Sequence, residues 1–478
     1  MSEGPAATPL AARAARGAKL ALSGQLVTHG LRLASNLILA RLLEPDAFGL
    51  ILLLTTVTMG LYTLSDLGLW QAVVRSERED RDFRDTAWTL GVLRGLLVFA
   101  VGCAAALPAS LLYERPEVLW LLPLCALQAV LYGLESTRSA ELQRQLVLGR
   151  LIGVELLSQV LALAAAVPIA LATRSVLALV AAAYVALVVR VVASHTVFPG
   201  ARNRFRLERN AVRELVGYGA GMLLSAALVF LGGRWDVFAL GKLLGMGTAG
   251  VYGLALLVLG VPAQVIDRAM NAVLLPALAE RLRDAPARFA EDVLAARRLV
   301  LPAAALLLLG AALLAPAFFQ WLYREPFHDA GWLAQLAVVA VWFTSLQEAG
   351  RRVLMAAGAT RILAVADALR LMAAVGGTLL GYSLHGLVGF LVGNAAGAAV
   401  GALAMALLLR RLGAQVIALD LLATASFLSL LGAGCFLPRW LAEPLGVAAP
   451  TLSVGVALLL VGPLAALLLR RARSVSAA

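Results

Sequence analysis

A chain of 478 residues with 61% hydrophobic content and a mean hydropathy of +0.88 lies outside the range of soluble globular domains. Its net charge of +12 sits in short segments between apolar runs, which argues against a continuous phosphate-binding surface and so against nucleic acid as a partner. Cys103, Cys125 and Cys435 all fall in apolar segments without paired spacing, so neither a disulfide framework nor a metal site is expected.

Residues 1–16 are Ala-rich with Arg13 and Arg16 and carry no separate apolar core or cleavage motif, so the first span is expected to act as an uncleaved signal anchor. That span, from about Leu20 to Leu43, is apolar or small except on one face. Gln25, His29, Arg32 and Asn36 fall within an arc of roughly 60° at a helical 100° per residue. A guanidinium at membrane depth costs at least about 2.5 kcal/mol on insertion scales, so it faces a bundle interior or a wet cavity. The stripe therefore points to a cationic cavity that accommodates an anion. Two plainer roles compete with this: Arg32 as the partner of a buried carboxylate such as Asp66, and His29 as a satisfied core histidine.

Apolar runs continue along the chain, and about fourteen transmembrane helices are predicted, centred near residues 30, 60, 98, 127, 160, 185, 223, 252, 304, 343, 372, 397, 427 and 459. With the N-terminus cytoplasmic, most basic residues collect on that side, in clusters such as Arg75 to Arg84, Arg190 with Arg202 to Arg213, and Arg281 to Arg298. Both termini are then cytoplasmic. Asp66 and Asp267 lie near the inner ends of the second and eighth spans, either paired with Arg75 and Arg268 or serving as coupling or gating groups. Arg94, Glu155 and Arg370 are further charges inside spans, candidates for the cavity or, for Glu155, its cytoplasmic rim. Asp367 and Arg370, three residues apart, could neutralise each other, and Arg234 with Asp236 reads as an interfacial or loop pair. The glycines at 376–377 and between 393 and 401 suit close helix packing, and no lysine of a phosphate-binding loop follows any glycine run.

The sequence also repeats. Arg41-Leu42-Leu43 with Gly49 matches Lys242-Leu243-Leu244 with Gly250, and Asp66 falls on Asp267 at the same spacing. Arg150-Leu151-Ile152 matches Arg361-Ile362-Leu363, and Glu135/Arg138 corresponds to Glu348/Arg351. Six spans separate the copies, so the expected architecture is two six-helix lobes, 1–200 and 201–411, related by a pseudo-twofold along the membrane normal, plus two extra C-terminal helices in 412–478. A site between lobes near the midplane follows. The polar stripe maps onto Ala226, Phe230, Gly233 and Val237, so the anion is expected on the N-terminal lobe.

The run from Asn36 through Arg41-Leu42-Leu43-Glu44-Pro45 to Phe48-Gly49, with Ser65-Asp66-Leu67-Gly68-Leu69 and Gln71-Ala72-Val73-Val74-Arg75, resembles the opening of the polysaccharide transporter family. These are Wzx-type oligosaccharide flippases of the multidrug/oligosaccharidyl-lipid/polysaccharide superfamily. Leu142-Gln143-Arg144-Gln145-Leu146, leading into Leu151 to Ser158, is a second match, although Val147-Leu148-Gly149 departs from the aromatic and arginine that often follow. The resemblance implies an all-α polytopic protein of the bacterial inner membrane. It implies translocation of a lipid-linked glycan, typically on a polyprenyl pyrophosphate, to the outer leaflet by alternating access, in lipopolysaccharide or exopolysaccharide synthesis. Arg32 would supply the charge for the pyrophosphate, while His29, Asn36 and Gln25 would bind phosphate or sugar hydroxyls. Membrane lipids and the glycan polymerase and glycosyltransferases of the same pathway are the partners it implies; no cofactor or metal is. A cation-coupled multidrug antiporter and a lipid II flippase of the same superfamily remain alternatives. The first is disfavoured by intramembrane arginines and only 6% aromatic residues. A membrane-embedded enzyme would need catalytic groups on a substantial outer loop, which the spacing of the spans leaves no room for.

Overall fold

The computed structural model describes residues 10–65, 80–144, 147–220, 223–271, 278, 280, 282, 284, 288–357, 362–445 and 449–476. Among these all regular structure is helical. The helices are α1 (Leu10–Leu42), α2 (Pro45–Leu64), α3 (Arg81–Tyr113), α4 (Val118–Leu134), α5 (Arg138–Arg144), α6 (Leu148–Thr173), α7 (Leu177–Thr196) and α8 (Arg209–Ala220). They continue as α9 (Leu223–Leu243), α10 (Met246–Ala269), α11 (Phe289–Leu322), α12 (Ala330–Ala356), α13 (Leu363–Arg410), α14 (Ile417–Leu445) and α15 (Ala449–Ser476). Nine of the described helices are long and apolar enough to cross a membrane, and α4 with α5 makes a tenth as a bent pair. The chain is a multi-pass membrane protein. The predicted centre near 223 falls at the very start of α9, whose midpoint lies about ten residues further on.

The chain divides into two compact units, 1–227 and 228–478. In the first, α3 and α4 form an antiparallel pair whose contact is set by small residues: a Cβ at Gly95 would strike the Ala129 backbone, and Gly91 lies against Gly133. A core of Leu50, Leu54, Leu121, Leu122, Cys125 and Val180 joins α2, α4 and α7. Asp80 starts α3 by accepting from the Phe83 N–H at 3.0 Å. Pro45 occupies the first turn of α2, where its missing N–H is not needed. The non-helical strap 197–208 is tied down along its length. Backbone N–H groups of Arg204, Arg206 and Glu208 donate to Asp85, Thr89 and Thr86 at 3.0–3.1 Å, and the Arg138 guanidinium donates to the carbonyls of His195, Phe198 and Ala201.

In the second unit α13 is two helices. His385 and Gly386 leave helical geometry, Gly386 at φ +57° and ψ −133°, a conformation only glycine adopts at little cost. The halves, about 33 and 36 Å long at 1.5 Å per residue, fold back on each other. Gly377 meets Gly393, Gly381 meets Gly389, and Gly397 meets Ala374, so backbones touch where any side chain would intervene. The buried Trp342 on α12 stacks on Phe427 of α14 at 4.5 Å between centroids, and the Arg297–Asp420 ion pair ties α11 to α14.

Candidate functional site

In the first unit, α1 packs along α6, and this brings Arg32 within 3.1 Å of Glu155, 123 residues away. Glu155 is the middle of a chain of alternating charge. Gln159 donates to it at 3.2 Å, Arg190 of α7 approaches its second oxygen at 3.8 Å, and Arg190 in turn donates to Glu135 at 3.1 Å. Tyr132 lies beneath the Arg190 guanidinium at 5.8 Å, and Ser139 donates to Glu135. Arg32 ends this chain. Its side chain is 51% exposed, and among the described residues only Nη2 meets a carboxylate. Asn36 donates back to the Arg32 carbonyl at 2.9 Å, so its amide oxygen stays available on the same face. His29 is half-buried and engaged by a neighbouring group. Gln25 lies on α1, its side chain outside the described residues, and Asp66 lies outside them altogether.

Arg94 sits elsewhere, on α3. It donates to Ser65 Oγ at 3.1 Å and to the Tyr62 carbonyl at 2.6 Å, with its guanidinium 3.8 Å over the Tyr62 ring. It thus closes the C-terminal end of α2, where unpaired carbonyls attract a cation.

The second unit carries a denser knot. Arg351 binds Asp367 through both forks, at 3.1 and 2.5 Å, and Glu348 through Nε at 3.0 Å. Arg352 pairs with Glu348 and Asp267 and donates to Asn271 at 3.3 Å. Gln347 donates to Asp367 and accepts from Arg370 at 3.0 Å, while Arg370 also donates to Thr344 at 3.1 Å. Asp367 therefore pairs across helices with Arg351 rather than along its own helix with Arg370, because a planar fork meets both carboxylate oxygens there. Asp267 likewise takes Arg352, and the adjacent Arg268 turns to Gln264. Arg234 and Asp236 are no loop pair: both lie inside α9, and Asp236, 7% exposed, accepts from Tyr252 Oη at 2.5 Å and from the Val237 N–H. The counterpart of the α1 stripe is thus apolar at its four positions, while its helix buries a carboxylate at a different phase.

Sequence reasoning missed Arg190, read as part of a cytoplasmic cluster, and the Asp236–Tyr252 pair. The signal for Arg190 was its place two turns inside the apolar run Leu177–Thr196. Nothing local marked Tyr252, since its partner lies 16 residues away on another helix.

Residues 38–330 match the polysaccharide biosynthesis protein family. The succinoglycan biosynthesis transport protein ExoT of Rhizobium meliloti strain 1021 is 26% identical over 306 residues, 63% of this chain and 58% of that protein. The teichuronic acid biosynthesis protein TuaB of Bacillus subtilis strain 168 is 24% identical over 220 residues, 45% of each chain. The matched part thus spans about half the length of these relatives. Among solved structures, the lipid II flippase MurJ in an inward closed conformation superposes with a TM-score of 0.65 at 9% identity, covering 94% of this chain and 98% of that one. An inward-facing multidrug resistance MATE family transporter of the MOP superfamily gives 0.54 at 17% identity, covering 81% and 95%. These likenesses give the fold, and the family match gives the lineage: the chain belongs to the polysaccharide biosynthesis protein family and has the all-helical fold of MOP-superfamily transporters.

Proposed function

We propose that the protein moves a lipid-linked polysaccharide precursor, carried on a polyprenyl pyrophosphate, from the cytoplasmic to the outer leaflet of a bacterial inner membrane by alternating access. Arg32 is the primary contact for the anionic headgroup. The observation that carries this reading is a half-exposed guanidinium in the segment Leu20 to Leu43, whose other faces are apolar or small, held among the described residues by a single carboxylate and with four donors unused toward Glu155. A pyrophosphate offers what that fork lacks, several oxygens in geometry for paired hydrogen bonds. His29, Asn36 and Gln25 extend the same face toward phosphate or sugar hydroxyls, and Glu155 holds Arg32 while no substrate is present. Arg94 and Arg370 line the path more remotely, while Asp66 and Asp267 serve coupling or gating. The family membership supports a glycan cargo, and the names of the two relatives place them in polysaccharide biosynthesis.

The test is transfer of a labelled polyprenyl-pyrophosphate glycan across proteoliposomes. Arg32→Ala should lower the rate about 10- to 100-fold, the worth of one or two charge-assisted hydrogen bonds. A normally inserted Arg32→Ala protein that transports at the original rate would remove Arg32 from the role. Reporter fusions at Glu44, Glu114 and Arg324 should read as external, with both termini cytoplasmic; a cytoplasmic signal at any of the three breaks the orientation.

A further inference from the structure

At one end of the second unit, the end of α11, the start of α12, the end of α14 and the start of α15 surround a cavity of about 220 Å³. Gln335 lines it, only 8% exposed, and among the described residues no protein group hydrogen-bonds its amide. Gln320 and Arg439 line the same space, and among the described residues no hydrogen bond or ion pair engages their polar ends. Asp329 accepts the Trp332 indole N–H at 2.9 Å, which fixes the ring and leaves a carboxylate oxygen for a ligand. His328 places Nε2 on the Tyr323 carbonyl at 3.1 Å, so in the neutral ring Nδ1 is an acceptor.

We infer that this cavity is a binding site for a single sugar residue. Planar amide, carboxylate and guanidinium groups match adjacent hydroxyls, which each donate and accept, and the fixed indole offers an apolar face for ring C–H groups. An acyl chain would leave the buried Gln335 amide unsatisfied, at a cost of about 1–3 kcal/mol. A resident metal has no ligand set here, since no group of three His, Cys, Asp or Glu side chains gathers among the described residues. The volume is below the 300–1,000 Å³ or so of drug-sized sites, which suits one ring and not an oligosaccharide. The inference rests on the proposed glycan cargo and adds a second point of contact for it, in the unit that lacks the α1 stripe and at the membrane face where Arg324 is expected to be external.

Cys435, half-buried in the cavity wall, supplies a reporter. With Cys103→Ser removing the exposed thiol, the purified full-length protein is labelled by a small methanethiosulfonate in the presence of glucose, galactose, glucuronate or N-acetylglucosamine. At least one sugar should slow labelling of Cys435 about tenfold, equivalent to about 1.4 kcal/mol of occupancy. Protection should vanish in Gln335→Leu and in Arg439→Ala, the latter an exposed residue whose loss leaves the fold intact, and should persist in Arg32→Ala. Absence of protection by every sugar, or protection by glycerophosphoethanolamine instead, overturns the inference. Wild-type transfer of lipid-linked glycan without sugar protection sinks this site alone; sugar protection without transfer sinks the cargo reading alone.

Discussion

The two units each gather acidic and basic side chains near positions that the sequence repeat matches, Glu135 with Arg190 in one and Glu348 with Arg351 in the other, yet the gatherings differ in kind. In the second unit Arg351 and Asp367 are 11% and 2% exposed, meet through both forks and are braced by Gln347 and Glu348. In the first, the chain runs outward from Glu135 through Arg190 and Glu155 and ends at a half-exposed Arg32 with one carboxylate partner among the described residues. A closed and buried knot is scaffold, since removing one partner strands a charge. An open chain whose last cation touches a single carboxylate is a place where a ligand can substitute for that carboxylate. On the proposed reading the same residue types serve architecture in one unit and recognition in the other, and burial separates the two.

Asp367→Ala should be the most damaging change, because it takes from the buried Arg351 the carboxylate that meets both forks, leaving only Glu348 at Nε, and removes a partner of Gln347. A loss of about 3–5 kcal/mol is expected, read as unfolding midpoint and yield in detergent. Stability within about 1 kcal/mol of the parent would dissolve the distinction between knot and chain. Gly393→Leu should rank next, at about 1–3 kcal/mol or more, since the side chain has to enter the Gly377 backbone contact; unaltered thermal unfolding would show that the α13 hairpin is not close-packed. Arg32→Ala, by contrast, should change stability by less than about 1 kcal/mol while transport collapses. Equal losses in both measurements would make Arg32 scaffold too. The smallest effect is expected for Glu155→Gln, which weakens the internal competitor for Arg32. Headgroup binding, titrated with a soluble prenyl pyrophosphate, should tighten up to about fivefold, the worth of an exposed ion pair. Weaker binding would mean Glu155 orients the guanidinium instead of competing for it.

Much of the fold was legible in sequence because apolar runs of span length leave the backbone few alternatives. The α1 stripe was legible as well, since helical periodicity alone aligns Gln25, His29, Arg32 and Asn36. Partners were not. Periodicity is local, so it suggested Asp367 with Arg370 and Asp267 with Arg268, whereas the structure joins Arg351 to Asp367 and Arg352 to Asp267 across helices. Glu155 was visible as an intramembrane charge, but only the packing of α1 on α6 gives it Arg32. Arg190 was hidden by its neighbours in sequence, a row of loop arginines that made it look like one more.

The turn at His385 and Gly386 carries a consequence for biogenesis. With two non-helical residues between its halves, α13 has no hydrophilic segment to be passed through the bilayer after the first half has entered. The glycine contacts begin four residues before the turn and three after it, so the halves can associate as soon as both are synthesised. Insertion of this hairpin is therefore expected to be a single event. A spacer lengthening the turn would convert it into two.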